Sequence, residues 1–237
     1  MKNYYNSISN HSIDFNIGVI DSIFQLDNNM KYYSTSDSQI GLLFSESIDK
    51  VNAATASGNL SLKTLDNSQF DSIQNDILYV VFHAGLGQES STDFDPTIYD
   101  IRSAYVDDSM LGSINQQSWL YNDFTTYGAY SNGLVLPETI NMLFYPVIED
   151  SYPHSNDPAE LEDYYCDYQA GMNGLSAHLL GYHFGFQPLN NTENGQTRIG
   201  KFGLMDMGFF QGRGVIPTPP TAWTRINNNI GYNPTVI

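Results

Sequence analysis

Gly174-Leu-Ser-Ala-His-Leu-Leu-Gly-Tyr-His-Phe-Gly-Phe186 is the stretch from which the fold can be read. Starting just upstream, Met172, Leu175, Leu179, Tyr182 and Phe186 recur at intervals of three and four residues. That spacing marks one face of an α-helix, and a face so apolar must be buried. Ser155-Asn-Asp-Pro-Ala-Glu160 supplies a start signal, with Asp157 as cap, Pro158 at the first helical position and Glu160 placed to close a capping box. The pattern predicts one long helix from there to the mid-180s, with Gly171 and Gly174 as weak points or close-packing sites. His178 and His183 lie five residues apart. At about 100° per residue that is roughly 140° around the axis, so a regular helix turns the two rings to different sides.

Upstream, Phe15-Asn-Ile-Gly-Val-Ile-Asp-Ser-Ile-Phe24 is rich in β-branched residues and lacks a helical stripe, which predicts a first strand. From about Asp37, apolar residues at Ile40, Leu43, Phe44, Ile48 and Val51 define an amphipathic helix. Ser36 or Asp37 would cap it, and Gly58-Asn59 would end it. Asn59 to Asn75 is polar and irregular. Ile77-Leu-Tyr-Val-Val-Phe-His83 is a continuous apolar run, the pattern of a strand buried on both faces. A long acidic loop from Gly87 to Asp108 follows, and Gly133-Leu-Val-Leu-Pro137 reads as a short edge strand, since proline suits an edge or a strand end. After Pro188 no periodic segment appears. The expected class is α+β: a mixed twisted sheet with a backing helix and a second buried helix, plus a small irregular C-terminal lobe. One domain spans 1–237, with a sheet-and-helix lobe over 1–186 and a loop-rich lobe over 187–237.

Composition excludes several functions. The net charge is −17, and no Lys or Arg occurs between Arg102 and Arg198. Such a chain repels phosphate backbones and anionic lipid, so neither nucleic acid nor a membrane surface is an expected partner. Cys166 is the single cysteine, which rules out an internal disulfide and a cysteine metal cluster. Its acidic neighbours disfavour a thiolate, so Cys166 is expected to be a small buried residue. Met1 to Asn10 lacks the continuous apolar core of a signal peptide, and no apolar run approaches a membrane span. The expectation is a cytoplasmic protein or an excised piece of a longer secreted one.

Laid against the zinc-helix pattern H-E-x-x-H-x-x-G, His178 fills the first histidine position and Gly185 the glycine. Downstream, Ile199-Gly-Lys-Phe-Gly-Leu-Met-Asp-Met-Gly208 precedes a Pro-rich stretch with Pro217, Pro219 and Pro220, then Ala222-Trp-Thr-Arg225 and Gly231-Tyr232. Upstream stands Val80-Val-Phe-His-Ala-Gly-Leu-Gly-Gln88. Together these segments resemble immune-inhibitor-A-type metallopeptidases, from about Ile77 to Tyr232. The resemblance implies a zincin-like fold with 174–186 as the active-site helix, Met205 as the Met-turn residue beneath a metal, and an extracellular or cell-surface family. The family's zinc chemistry is not supported by the same residues. Leu179 stands in place of the catalytic glutamate and Tyr182 in place of the second histidine. Gly185-Phe-Gln-Pro-Leu189 puts Pro188 where a third ligand belongs. A single imidazole does not hold zinc usefully, so no cofactor is expected.

The expected function is therefore a catalytically inactive peptidase-like domain that binds an extended peptide or protein, or serves a structural role. Tyr182 would plug space beside His178, with its hydroxyl reaching that ring. The alternative is an active enzyme with unconventional ligands such as His178, His183 and His154. His83, at the end of its strand, reads as a satisfied structural histidine. Asp93, Asp95 and Asp100, and the Asn190-Asn-Thr-Glu-Asn-Gly195 loop, offer oxygens for calcium without the spacing of an EF-hand. Glu160, Glu162 and Asp163 read as a solvated face rather than a glycosidase pair. Gly174-Leu-Ser-Ala-His178 lacks the second glycine of a hydrolase elbow. A carbohydrate-binding surface, suggested by 17 Tyr and 13 Phe, is a third reading, although most such rings belong in a core.

Overall fold

The computed structural model describes residues 1–15, 17–20, 22–57, 78–90, 99–112, 132–140, 142–144, 166–168 and 170–231. Its elements are helices α1 (Lys2–Ile8), α2 (Met30–Tyr33) and α3 (Asp37–Ala56), strands β1 (Tyr79–Leu86) and β2 (Ala104–Val106), and helix α4 (Asp108–Gly112). Strands β3 (Gly133–Thr139), β4 (Met142–Phe144) and β5 (Cys166–Tyr168) follow, then helices α5 (Met172–His183) and α6 (Ala222–Asn227). The class is α+β, with a mixed three-stranded sheet ordered β1-β3-β2. β1 runs parallel to β3 and β2 antiparallel to it, and β4 and β5 form a separate antiparallel pair.

β3 is the centre of the sheet, and its period of two explains the layering. Val135 packs on one face with Ile40, Leu43, Phe44 and Ile48 of α3. Leu134 and Leu136 pack on the other with Leu175, Leu179 and Leu180 of α5. The predicted α3 stripe is thus the backing face, and Ser36 is the cap, its hydroxyl accepting from the Gln39 N–H. The predicted stop at Gly58-Asn59 lies outside the described residues.

Two strand assignments are corrected. The strand buried on both faces is 133–137, not 77–83. Along β1, Val80 and Phe82 face outward, Phe82 being 63% exposed, and among the described residues β1 has only β3 beside it. Burying a leucine is worth about 1.5–3 kcal/mol, so Leu134 and Leu136 anchor the sheet where Val80 and Phe82 do not. Pro137 is compatible with a central strand because the β2 ladder ends at Val135. The edge beside α5 is instead β2, within the stretch read as loop. The strand expected at 15–24 is also not formed among its described residues. Ile17, Val19 and Ile23 are exposed and no strand lies alongside among the described residues, which give the β-branched composition nothing to pair with.

The long helix from Asp157 is corrected too. Residues 166–168 are β5 and α5 begins only at Met172, after Gly171. Asp157, Pro158, Glu160, Glu162 and Asp163 lie outside the described residues, as does the side chain of Cys166. The start of α5 has no side-chain cap. Instead the N–H of Gly171 donates to the Arg213 carbonyl, and that of Gly174 to the Gly214 carbonyl, both at 2.7 Å. Remote backbone thus satisfies donors that a local cap would normally serve. At the other end Gly185 adopts φ +80. The N–H of Gly185 donates to Tyr182 and that of Phe186 to Gly181. This is the Schellman termination, which favours glycine there.

Helix α1 was not anticipated. It docks behind α5: Tyr5 is fully buried, its hydroxyl donating to the Ala177 carbonyl at 2.6 Å, and its ring lies against Phe184. Tyr4 donates to the Thr218 carbonyl, and Arg225 of α6 donates to the Ile8 carbonyl. The N-terminal helix therefore ties the central helix to the C-terminal lobe.

Gly174 is a close-packing site rather than a weak point. A Cβ there would lie 1.7 Å from the Phe209 carbonyl oxygen, which is backbone and cannot swing aside. Alanine normally gains about 1 kcal/mol over glycine in a helix, but here the clash dominates. Gly174→Ala is expected to lower unfolding stability by about 2 kcal/mol, read from urea or guanidinium denaturation; an unchanged or raised midpoint would contradict this packing.

Candidate functional site

A cleft of about 460 Å³ opens between β2 and α5, in the size range of small-ligand sites. Strand alternation turns Ala104 and Val106 toward α3 and Tyr105 toward α5. Helix α5 contributes Leu175, His178, Leu179 and Tyr182, and the C-terminal lobe contributes Asn190, Asp206 and Phe209.

His178 Nδ1 lies 2.9 Å from the Leu204 carbonyl oxygen. A carbonyl only accepts, so Nδ1 carries the proton and Nε2 keeps its lone pair. Burial pushes the His178 pKa down, partly opposed by that carbonyl and by the negative charge of Asp206. The ring is therefore a neutral acceptor. It is packed on Phe209 at 4.9 Å and meets Tyr182 edge-on at 5.2 Å. Tyr182 in turn stacks on Tyr105, with ring centroids 6.0 Å apart and planes 28° from parallel. The expected Tyr182 hydroxyl bond to His178 is replaced by this ring contact. Burial raises the Tyr182 pKa, so its hydroxyl stays protonated.

Asp206 is the group that sequence reading missed. It is only 2% exposed. Its Oδ2 accepts from the N–H groups of Arg198, Ile199 and Gly200 at 2.7–3.0 Å. Burial pushes the Asp206 pKa up, but bonds from backbone N–H groups, with Ile199, Arg198 and Gly200 foremost, outweigh it, and the carboxyl is held below its ordinary value. Oδ1 is buried and has no hydrogen-bond partner among the described residues, and the same is true of Asn190 Oδ1. The available signal was an aspartate inside a glycine-rich turn, a setting in which successive backbone N–H groups wrap an anion.

Met205 is fully buried, with its sulfur facing Gly181, and its carbonyl accepts from the Leu189 N–H. The segment carrying half-buried Pro188 is thereby tied beneath the helix. Leu179 is buried in the core beside Leu134 and Leu136. His183 is on another side: α5 is a regular helix, and His183 Nδ1 lies 3.1 Å from Asn132 Oδ1. His83 sits on β1, its Nδ1 donating to the Ala84 carbonyl while Nε2 finds no partner among the described residues, which satisfy the ring only by half. His154, Asp93 and Asp95 lie outside the described residues. In the Asn190–Gly195 loop, Asn191 and Asn194 spend their side-chain oxygens on the loop's own N–H groups.

The arrangement does not fit a zinc ion. His178 has the carbonyl-oriented imidazole that a zinc ligand uses, but Leu179 and Tyr182 bring no donor suited to the metal. Among the described residues no group of three or more His, Cys, Asp or Glu side chains converges to hold an ion.

The lowered pKa of His178 has a consequence for stability. Unfolded, the ring titrates near 6.5, and folded, it titrates lower. The unfolded chain therefore takes up the proton first, and stability present above pH 6.5 is lost as pH falls toward the folded value. His178→Asn retains a donor for Leu204 without the titration. The wild type is expected to lose more stability than this variant between pH 7 and pH 5, by about a few tenths of a kcal/mol or more, in parallel denaturant titrations. Coincident profiles would contradict a buried neutral ring.

Among the described residues no helix is long and apolar enough to cross a membrane. Compared with protein-family models, curated proteins and solved structures, the chain matches none.

Proposed function

We propose that this chain is a zincin-like domain of the immune-inhibitor-A type that has lost hydrolysis and binds an extended peptide in the β2–α5 cleft. The observation that carries the reading is the aromatic stack beside His178. Where a second metal ligand would stand, the Tyr182 ring meets His178 edge-on and stacks on Tyr105. The catalytic-glutamate position, Leu179, is spent on the core. Tyr182 thus brings a ring edge to the position where a metal would need a donor atom.

The frame around that position supports peptide binding. β2 pairs on one side with β3, and among the described residues no strand covers its other edge. An extended peptide adds to such an edge through main-chain hydrogen bonds, with alternate side chains entering the neighbouring cleft. The buried Met205 turn and the Leu204 carbonyl hold the His178 side of the cleft in place. A structural role inside a larger protein uses the same frame.

One observation favours the alternative of an active metalloenzyme with unconventional ligands: His178 presents an unprotonated Nε2 oriented by a carbonyl. Metal analysis separates the two. The purified protein is expected to carry far less than one zinc per chain, and EDTA to leave its melting temperature unchanged. Stoichiometric zinc with chelator-sensitive proteolysis, lost in His178→Ala, would overturn the proposal in favour of the enzyme.

A further inference from the structure

We infer that the β2–α5 cleft receives a basic side chain, an arginine of the bound peptide, with Asp206 as its counter-ion. This names the ligand chemistry of the site proposed above and rests on that reading. Asp206 Oδ2 is committed to three backbone N–H groups, whereas the buried Oδ1 has no partner among the described residues. Leaving a buried carboxylate oxygen unmatched is costly, and the cost is removed when a donor arrives. Asn190 Oδ1, in the same cleft, is likewise buried and unmatched. His178 adds a third acceptor through Nε2. The cleft is therefore rich in acceptors.

Its donors are neutral, among them the hydroxyls of Ser103, Tyr105 and Tyr182 and the Asn190 amide. Arg102, the cation in its lining, is already paired with Asp37 of α3. No other Lys or Arg occurs until Arg198, whose backbone serves Asp206. An anionic or acceptor-rich ligand would face Asp206, and the exposed Asp107 at the same cleft, with no unpaired cation among the described lining residues. The walls select further. Tyr105, Tyr182 and Phe209 offer aromatic faces, which attract cations and stack on planar ones. A guanidinium is planar, weakly hydrated and carries five donors in a rigid fork, so it can address Asp206 and Asn190 while lying on a ring. An ammonium has the charge without the plane.

The test is calorimetric titration of the full chain, in EDTA, with acetyl-Ala-Ala-Arg-Ala-Ala-amide and with versions carrying citrulline, lysine or glutamate in place of arginine. Citrulline matches arginine in shape and lacks its charge, so this comparison leaves the protein unaltered. The arginine peptide is expected to bind about tenfold or more tighter than the citrulline one, since charge-assisted bonds are roughly twice as strong as neutral ones. Lysine should fall between them and glutamate should be weakest. In Asp206→Asn one oxygen still serves the three backbone N–H groups while an amide donor replaces Oδ1, so the preference for arginine over citrulline should vanish. If that variant melts early, Tyr105→Ala replaces it, with a larger loss for arginine than for citrulline. Equal binding of arginine and citrulline peptides overturns this inference and leaves the peptide-binding proposal standing. No binding of any of the four overturns both. Binding that appears only when EDTA is omitted shows that a metal carries the recognition, and also overturns it.

Discussion

Helix α5 is held where it is by backbone, not by its side chains alone. Its first free N–H groups are met by the Arg213 and Gly214 carbonyls, and Gly174 lets the Phe209 carbonyl pass almost through the space of a side chain. That contact fixes the helix against the C-terminal lobe. Once it is fixed, His178 reaches Leu204, Gly181 receives Met205, and the cleft to β2 acquires its depth. The sheet contributes the opposite wall, because β3 buries both faces and strand alternation then delivers Tyr105 to Tyr182. Cleft geometry thus follows from one close approach and one period of two.

The same dependence explains what could be read from sequence. Helix α3 was legible because its signals are local: a serine cap and apolar residues every three or four positions. The buried face of α5 was legible for the same reason. Its beginning was not, because the partners of its first N–H groups lie some forty residues downstream, at 213 and 214, and the capping pattern at 155–160 pointed elsewhere. β1 and β3 were exchanged in role because an apolar run states hydrophobicity and not the number of neighbouring strands. The segment 15–24 shows the reverse error, strand composition without a strand to join. Helix α1 carries a stripe of only two turns, Met1, Tyr4, Tyr5 and Ile8, too short to stand out without the partner that Ala177 provides for Tyr5.

At the site, His178, Leu179, Tyr182, Pro188 and Met205 could be singled out by comparison with a motif, and His178 and Tyr182 do meet. Asp206 and Tyr105 could not. Neither stands in a recognisable spacing to His178, and each enters the cleft through tertiary structure, one by a loop closed on its own carboxylate and the other by the parity of a strand. Motif reading located the His178 side of the cleft, whereas the polarity that Asp206 brings to it became visible only in three dimensions.

The docking of α1 bears on how the molecule assembles. Tyr5 and Ala177 are 172 residues apart in the chain, and Tyr4 and Thr218 are 214 apart. Helix α1 is synthesised before the elements it docks on and must wait for them, and loop closure of that span must be met before its contacts give any return. Until then two tyrosines and an isoleucine of α1 face water, and so does the back of α5 that they will cover.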